Sequence, residues 1–398
     1  MKSKIVGIAL FALTLGTVIY YPVLKAKIID PNPIPIAQIV APAGNPKVDV
    51  VFVLDTTGSM SGLIQTAKDK IWSIATTMAS AQPTPEIRIG LVAYRDRGDQ
   101  YVTQVVDLSD DLDSIYATLM DFQADGGGDT PESVNKALYD AVHNMSWSQD
   151  SQAYQVVFLV GDAPPHMDYQ DEASYPEILA AATGKGIVIN TIQCGDVPAT
   201  AKPWTQIASL GHGRFFQVEQ AGSAVAMTTP YDAELASLSA RLDDTRLYFG
   251  SEEEKEKMAS KVAATDELHE GSSLESRARR AAFNMSAGGK VNLLGKNDLV
   301  DGIASGTVRL EELDEEELPA AMKPMAPAEQ LAYVEGLAQE RSELQQQMRE
   351  LAEDRDGYIS KKVEEAGGYK DSLDQKIYEA VAEQAGVAGL EYKDGPEY

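Results

Sequence analysis

The chain of 398 residues carries 61 acidic side chains against 34 basic ones, a formal net charge of −27. Hydrophobic content of 44% and charged content of 24% are near globular averages, and the length allows two or three domains with substantial cores. So negative a field repels phosphate backbones and anionic lipid heads, which argues against a nucleic-acid binder or a polybasic membrane-surface protein.

Lys2 and Lys4 precede an uncharged stretch from Ile5 to Leu24, IVGIALFALTLGTVIYYPVL. At a helical rise of about 1.5 Å per residue it is long enough for a hydrocarbon core of roughly 30 Å, so an N-terminal hydrophobic helix is expected. A secretory signal peptide fits the same charges. The lack of an A-x-A-like cleavage site, and Tyr20-Tyr21 at interface depth, favour an uncleaved anchor, whereas Pro22, Lys25 and Lys27 weaken it. Residues 1–27 are therefore read as signal anchor or signal peptide, with the rest of the chain exported into the cell envelope. Residues 28–47 hold five prolines and read as an extended spacer.

From residue 48 to about 220, short β-branched runs alternate with helical patterns. Val48–Leu54, Ile87–Tyr94, Tyr101–Val106, Tyr154–Val160, Ile187–Gln193 and Arg214–Val218 read as strands. Helices are expected near 62–80, 111–122, 131–145, 175–184 and 200–210. Near-continuous apolar strands between helices predict an α/β fold, a doubly wound and mostly parallel, Rossmann-like sheet. Such sheets bind ligands beyond the carboxyl ends of their strands.

Three turns at that edge carry chemistry: Asp55-Thr56-Thr57-Gly58-Ser59-Met60-Ser61, Gly126-Gly127-Gly128-Asp129-Thr130-Pro131-Glu132-Ser133 and Gly161-Asp162-Ala163-Pro164-Pro165-His166. One cysteine, Cys194, sits in an apolar run and reads as a buried strand residue; with only four histidines, any metal must be held by oxygen. In D-x-T-x-S, Asp55, Thr57 and Ser59 project a carboxylate and two hydroxyls from one turn, the oxygen donors that a hard divalent cation prefers. Two neutral hydroxyls keep the site's charge low, so the ion stays electrophilic. Glu132 and Asp162 from the other loops would complete the shell. Taken singly, each turn is explained equally well as helix-start chemistry.

Together, DTTGSMS, GGGDTPES and GDAPPH resemble the metal-ion-dependent adhesion site of von Willebrand factor type A domains, over roughly residues 48–240. The resemblance implies Asp55, Thr57 and Ser59 as ligands, with Asp162 as the third-loop aspartate. For the second loop it implies Glu132, as in the DTPES-like integrin β version, or Thr130, as in many other members; Asp129 is a candidate ligand of a neighbouring Ca²⁺. Mg²⁺ or Mn²⁺ is the expected ion, and a partner protein presenting Asp or Glu is the expected ligand, making the chain an adhesion or assembly module rather than an enzyme. Two alternatives are a magnesium-dependent phosphohydrolase of the aspartyl-phosphate type and a scaffold with a vestigial metal site. The first lacks a lysine near a strand end between residues 86 and 184, and Thr57 replaces the second aspartate of D-x-D. His166 reads as a surface-loop residue, and Arg97-Gly98-Asp99 as a chance tripeptide.

The type A domain is placed at 48–242, an acidic helical or irregular region at 243–325, and a long amphipathic helix with a helical tail at 326–398. Residues 231–398 hold 37 acids and 20 bases. Leu331, Val334, Leu337, Leu344, Met348, Leu351 and Tyr358 form an apolar stripe, broken by Arg341 and Arg355. Packing on a neighbouring helix of the same chain is preferred to an intermolecular coiled coil. This tail is similar to those of certain exported bacterial type A proteins.

Overall fold

The structure is a computed structural model in which residues 45–128, 130–220, 227–365, 372–392 and 395 are described. The expected N-terminal helix and most of the proline-rich spacer lie outside these residues. Among the described residues no helix is long and apolar enough to cross a membrane.

Six strands form one sheet: β1 (Lys47–Asp55), β2 (Glu86–Tyr94), β3 (Thr103–Ser109), β4 (Tyr154–Gly161), β5 (Ile187–Cys194) and β6 (His212–Val218). Their order is β3-β2-β1-β4-β5-β6, all parallel except β3, which runs antiparallel at one edge. Order reverses at β1, so the crevice beyond the carboxyl ends opens where β1 and β4 lie side by side.

The strand alternation of β1 explains why the sheet is covered twice. Val50, Phe52 and Leu54 face one core, Val51 and Val53 the other, and all are buried. The second core is closed by α3 (Val134–His143), α4 (Tyr175–Lys185) and α5 (Pro198–Leu210), through Leu138, Ile178, Leu179 and Trp204. The first is closed by α1 (Ser61–Ala79) and α2 (Leu112–Asp121), where Trp72 packs on Tyr116 with ring centroids 5.6 Å apart.

The remaining elements are α6 (Asp232–Asp243), α7 (Glu252–Gly271), α8 (Leu274–Met285), α9 (Lys290–Leu294), α10 (Leu299–Ala304), α11 (Pro327–Glu365) and α12 (Leu373–Gln384). They do not form a separate body. Leu268, Phe283, Leu373, Ile377 and Val381 all enter the first core of the sheet. α7 begins on a reciprocal capping box between Ser251 and Glu254, which satisfies two otherwise orphaned amides. The stripe of α11 packs on α6, α8 and α10 of its own chain, burying Val334, Leu344 and Met348.

Arg341 and Arg355 do not interrupt that stripe. Both are buried, Arg341 against Asp298 at 2.7 Å and Arg355 against Asp232 at 2.9 Å. Each acid comes from another segment of the chain, so the pairing partner was invisible along the helix itself.

Candidate metal centre

Asp55 is the last residue of β1, wholly buried and in register with Tyr94 of β2. Its Oδ1 accepts from the Thr57 amide at 2.9 Å and from the Thr57 hydroxyl at 2.6 Å, an Asx-type turn that folds the loop back over the strand end. The Thr57 and Ser59 hydroxyls lie 3.3 Å apart, and Ser59 is exposed at the rim. D-x-T-x-S thus delivers its oxygens to one place.

Backbone bonds tie the three loops together. Gly58 donates to Gly126 O at 3.2 Å and Asp125 to Thr56 O at 3.1 Å, joining the first loop to the second. Arg95 reinforces this joint by donating to Thr56 O and Gln123 O. Glu132 then donates to Pro164 O and accepts from the His166 amide, both at 3.0 Å, joining second to third. Gly127 has φ +75°, and a Cβ there would lie 2.8 Å from Thr57 Cβ and 3.2 Å from Glu132 Oε1. A glycine is needed to bring those two side chains this close.

Two carboxylate oxygens in this crevice, Asp55 Oδ2 and Glu132 Oε2, are buried without a hydrogen-bond partner. Burial, opposed by the Thr57 bonds and aided by the charge of Asp162, raises the Asp55 carboxyl to about 7. Burial first, then the charges of Asp55, Asp96, Asp99 and Asp162, raises Glu132 to about 9. Asp162, just past β4, is half-buried and accepts from the Gln220 amide at 2.7 Å. The Tyr94 hydroxyl is another buried orphan, and Gly161 makes room for it: a Cβ there would sit 2.5 Å from that oxygen and 3.0 Å from Asp55 Oδ2.

Thr130 is exposed in the turn before Glu132, and Asp129 lies outside the described residues. Among the described residues no three carboxylate, imidazole or thiol side chains converge as a ready metal cluster. The donor set is instead two orphaned carboxylate oxygens beside two hydroxyls, with Asp162 engaged by an amide. Such a set fits a hard cation that keeps some of its water. A buried anion without a donor is costly, and a cation offsets that cost.

His166 is not a surface residue. It is 7% exposed, stacks on Tyr169, and lies between Asp168 at 2.8 Å and Asp96 at 3.2 Å. Asp96 also accepts from Ser133 and Tyr169, which buttresses the second loop from behind. In Arg97-Gly98-Asp99 both charged residues are used internally: Arg97 pairs with Asp171 and Glu172, and Asp99 accepts from the Gly127 amide. Cys194 is buried, as expected, and its thiol is pushed up by burial and by the charges of Asp162 and Asp55.

Residues 49–229 match the family model described as von Willebrand factor A domain, and this segment of the chain is such a domain. A protein of Acanthamoeba polyphaga mimivirus named as an ariadne-like RING finger protein is 26% identical over 155 residues, 38% of this chain and 14% of that protein. The alpha-protein kinase vwkA of Dictyostelium discoideum is 29% identical over 132 residues, 32% of this chain and 21% of the kinase. The chain thus spans only a small part of either relative. Among solved structures, the SpRpn10 VWA domain aligns with a TM-score of 0.35 at 14% identity, covering 45% of this chain and 91% of that one. Proximal thread matrix protein 1 from the mussel byssus, with a zinc-occupied MIDAS motif, aligns with a TM-score of 0.34 at 17% identity, covering 44% and 42%.

Proposed function

We propose that the chain is a non-enzymatic protein-interaction module of the cell envelope. It holds a divalent cation, Mg²⁺ or Mn²⁺, among Asp55, Thr57, Ser59 and Glu132, with Asp162 completing the shell through water, and offers that ion to an acidic side chain of a partner protein. The observation that carries the reading is the pair of buried carboxylate oxygens without a donor, Asp55 Oδ2 and Glu132 Oε2, beside the Thr57 and Ser59 hydroxyls. Two anions and neutral hydroxyls leave the ion able to accept a further carboxylate, and exposed Ser59 marks the side from which one can arrive. Glu132 is preferred to Thr130 as the second-loop ligand because it is buried and unsatisfied while Thr130 is exposed.

Phosphoryl transfer is disfavoured because the carboxylates of Asp55, Asp96, Asp99 and Asp162 surround Glu132, an environment that repels phosphate. Placement in the envelope rests on the Ile5–Leu24 sequence alone.

Calorimetry with Mg²⁺ and Mn²⁺ on the full chain, beside Asp55→Ala, tests the reading. Saturable binding that disappears in the variant is expected; identical behaviour of the two proteins would overturn it. A phosphatase screen whose turnover vanishes in Asp55→Asn would install the enzyme instead.

A further inference from the structure

Just beyond the end of β6, the side chain of Gln220 borders the metal centre. Gly195 donates to Val218 O at 2.9 Å and accepts from the Gln217 side chain at 2.7 Å, which secures the strand end beside β5. Two residues on, the Gln220 amide reaches Asp162 Oδ2 at 2.7 Å, with Ser59 O at 3.4 Å and Met60 Sδ at 3.8 Å. Its own oxygen lies where a Cβ on Gly195 would be 2.3 Å away, so a side chain at 195 would displace it. Loops after β1, β4 and β5 thus all border this one amide, which no motif in the sequence marks.

Charge balance gives the contact a purpose. A divalent cation on Asp55 and Glu132 is already neutralised. A third carboxylate bound directly would make the site anionic and repel the acid that a partner presents. An N–H held against Asp162 satisfies that carboxylate without an ion. Resting on the cation reading above, we propose that Gln220 is a positioning residue that keeps Asp162 from ligating the ion directly and so preserves the ion's affinity for an external carboxylate.

The test uses Mn²⁺ alone on the full chain, followed by calorimetry and by water-proton relaxation, which reports the waters left on the ion. Gln220 is exposed, so Gln220→Ala leaves the core untouched. With the amide gone, Asp162 moves onto the ion: Mn²⁺ affinity rises about three- to tenfold, the scale of one ordinary exposed hydrogen bond, and relaxation per bound ion falls as a water is displaced. Both changes vanish when Gln220→Ala is made in an Asp162→Asn background. Wild-type affinity and relaxation in Gln220→Ala, with binding still abolished by Asp55→Ala, would remove the role of Gln220 and leave the cation reading standing. Mn²⁺ binding that survives Asp55→Ala unchanged would remove both.

Discussion

Arg280 of α8 and Asp113 of α2 form a two-pronged ion pair, Nε to Oδ1 at 2.7 Å and Nη2 to Oδ2 at 2.6 Å, with neither side chain exposed to solvent. The same guanidinium reaches Asp243 of α6 at 2.7 Å. Burial works against the Asp113 charge, but the Arg280 and Lys261 cations outweigh it and hold the carboxyl well below its usual range. One arginine therefore clamps a helix of the sheet domain to two helices of the tail.

Replacing Arg280 by Met should strand two buried carboxylates. The expected loss is about 3–5 kcal/mol in urea unfolding. A loss below about 1 kcal/mol, the scale of an exposed pair, would show that water reaches the cluster.

The last helix is equally committed to the sheet. Lys70 of α1 and Asp374 of α12 meet at 2.9 Å, and Ile377 is 1% exposed in the first core. Ile377→Ala should cost about 2–5 kcal/mol by leaving a cavity. A chain ended after Glu365 should lose more, seen as a lower urea midpoint for the whole transition. Fragments of the type A domain alone are for this reason poor material for metal titration.

Asp55→Asn should separate stability from binding. The amide keeps an oxygen to accept from the Thr57 amide and hydroxyl, and it removes a buried charge. Metal-free, the variant should gain about 1–3 kcal/mol, while the rise in melting temperature that Mg²⁺ gives the wild type should be lost. A variant less stable than the wild type in EDTA would contradict the orphaned-oxygen account.

Metal-free stability should fall with rising pH. Folding lifts Asp55 from 3.8 to about 7 and Glu132 from 4.5 to about 9. Across that window the folded chain keeps protons that the unfolded chain has shed, so each step up in pH favours unfolding. Melts in EDTA from pH 5 to pH 9 should show a declining trend from this pair. Saturating Mg²⁺ should flatten it, because the ion replaces those protons.

Much of this was written locally in the chain. Parallel strands covered on both faces need unbroken apolar runs, and Val48–Leu54 or Tyr154–Val160 display them in full. Asp55 ends β1, Thr57, Ser59 and Asp162 follow strand ends, and Glu132 stands in the loop before α3 at the same edge, where the fold class says to look. What sequence reading missed depends on partners from elsewhere. His166 looks like a loop histidine until Asp96, from another loop, is placed beside it. Arg341 and Arg355 look like breaks in a stripe until Asp298 and Asp232 arrive from other elements. Gln220 had one available signal, its place two residues beyond a strand at the ligand end of the sheet.

The family match ends at residue 229, yet the packed core draws on side chains as far as Leu390. The segment that matches the family and the segment that packs into one core are therefore different lengths of chain. A ligand bound at the strand ends must steady the distant helices by the same free energy that it spends on the crevice. Conversely, weakening α8 or α12 far enough to populate the unfolded chain would lower occupancy of the metal centre without touching one of its oxygens. In this chain the acidic tail is a thermodynamic partner of the site, not an appendage to it.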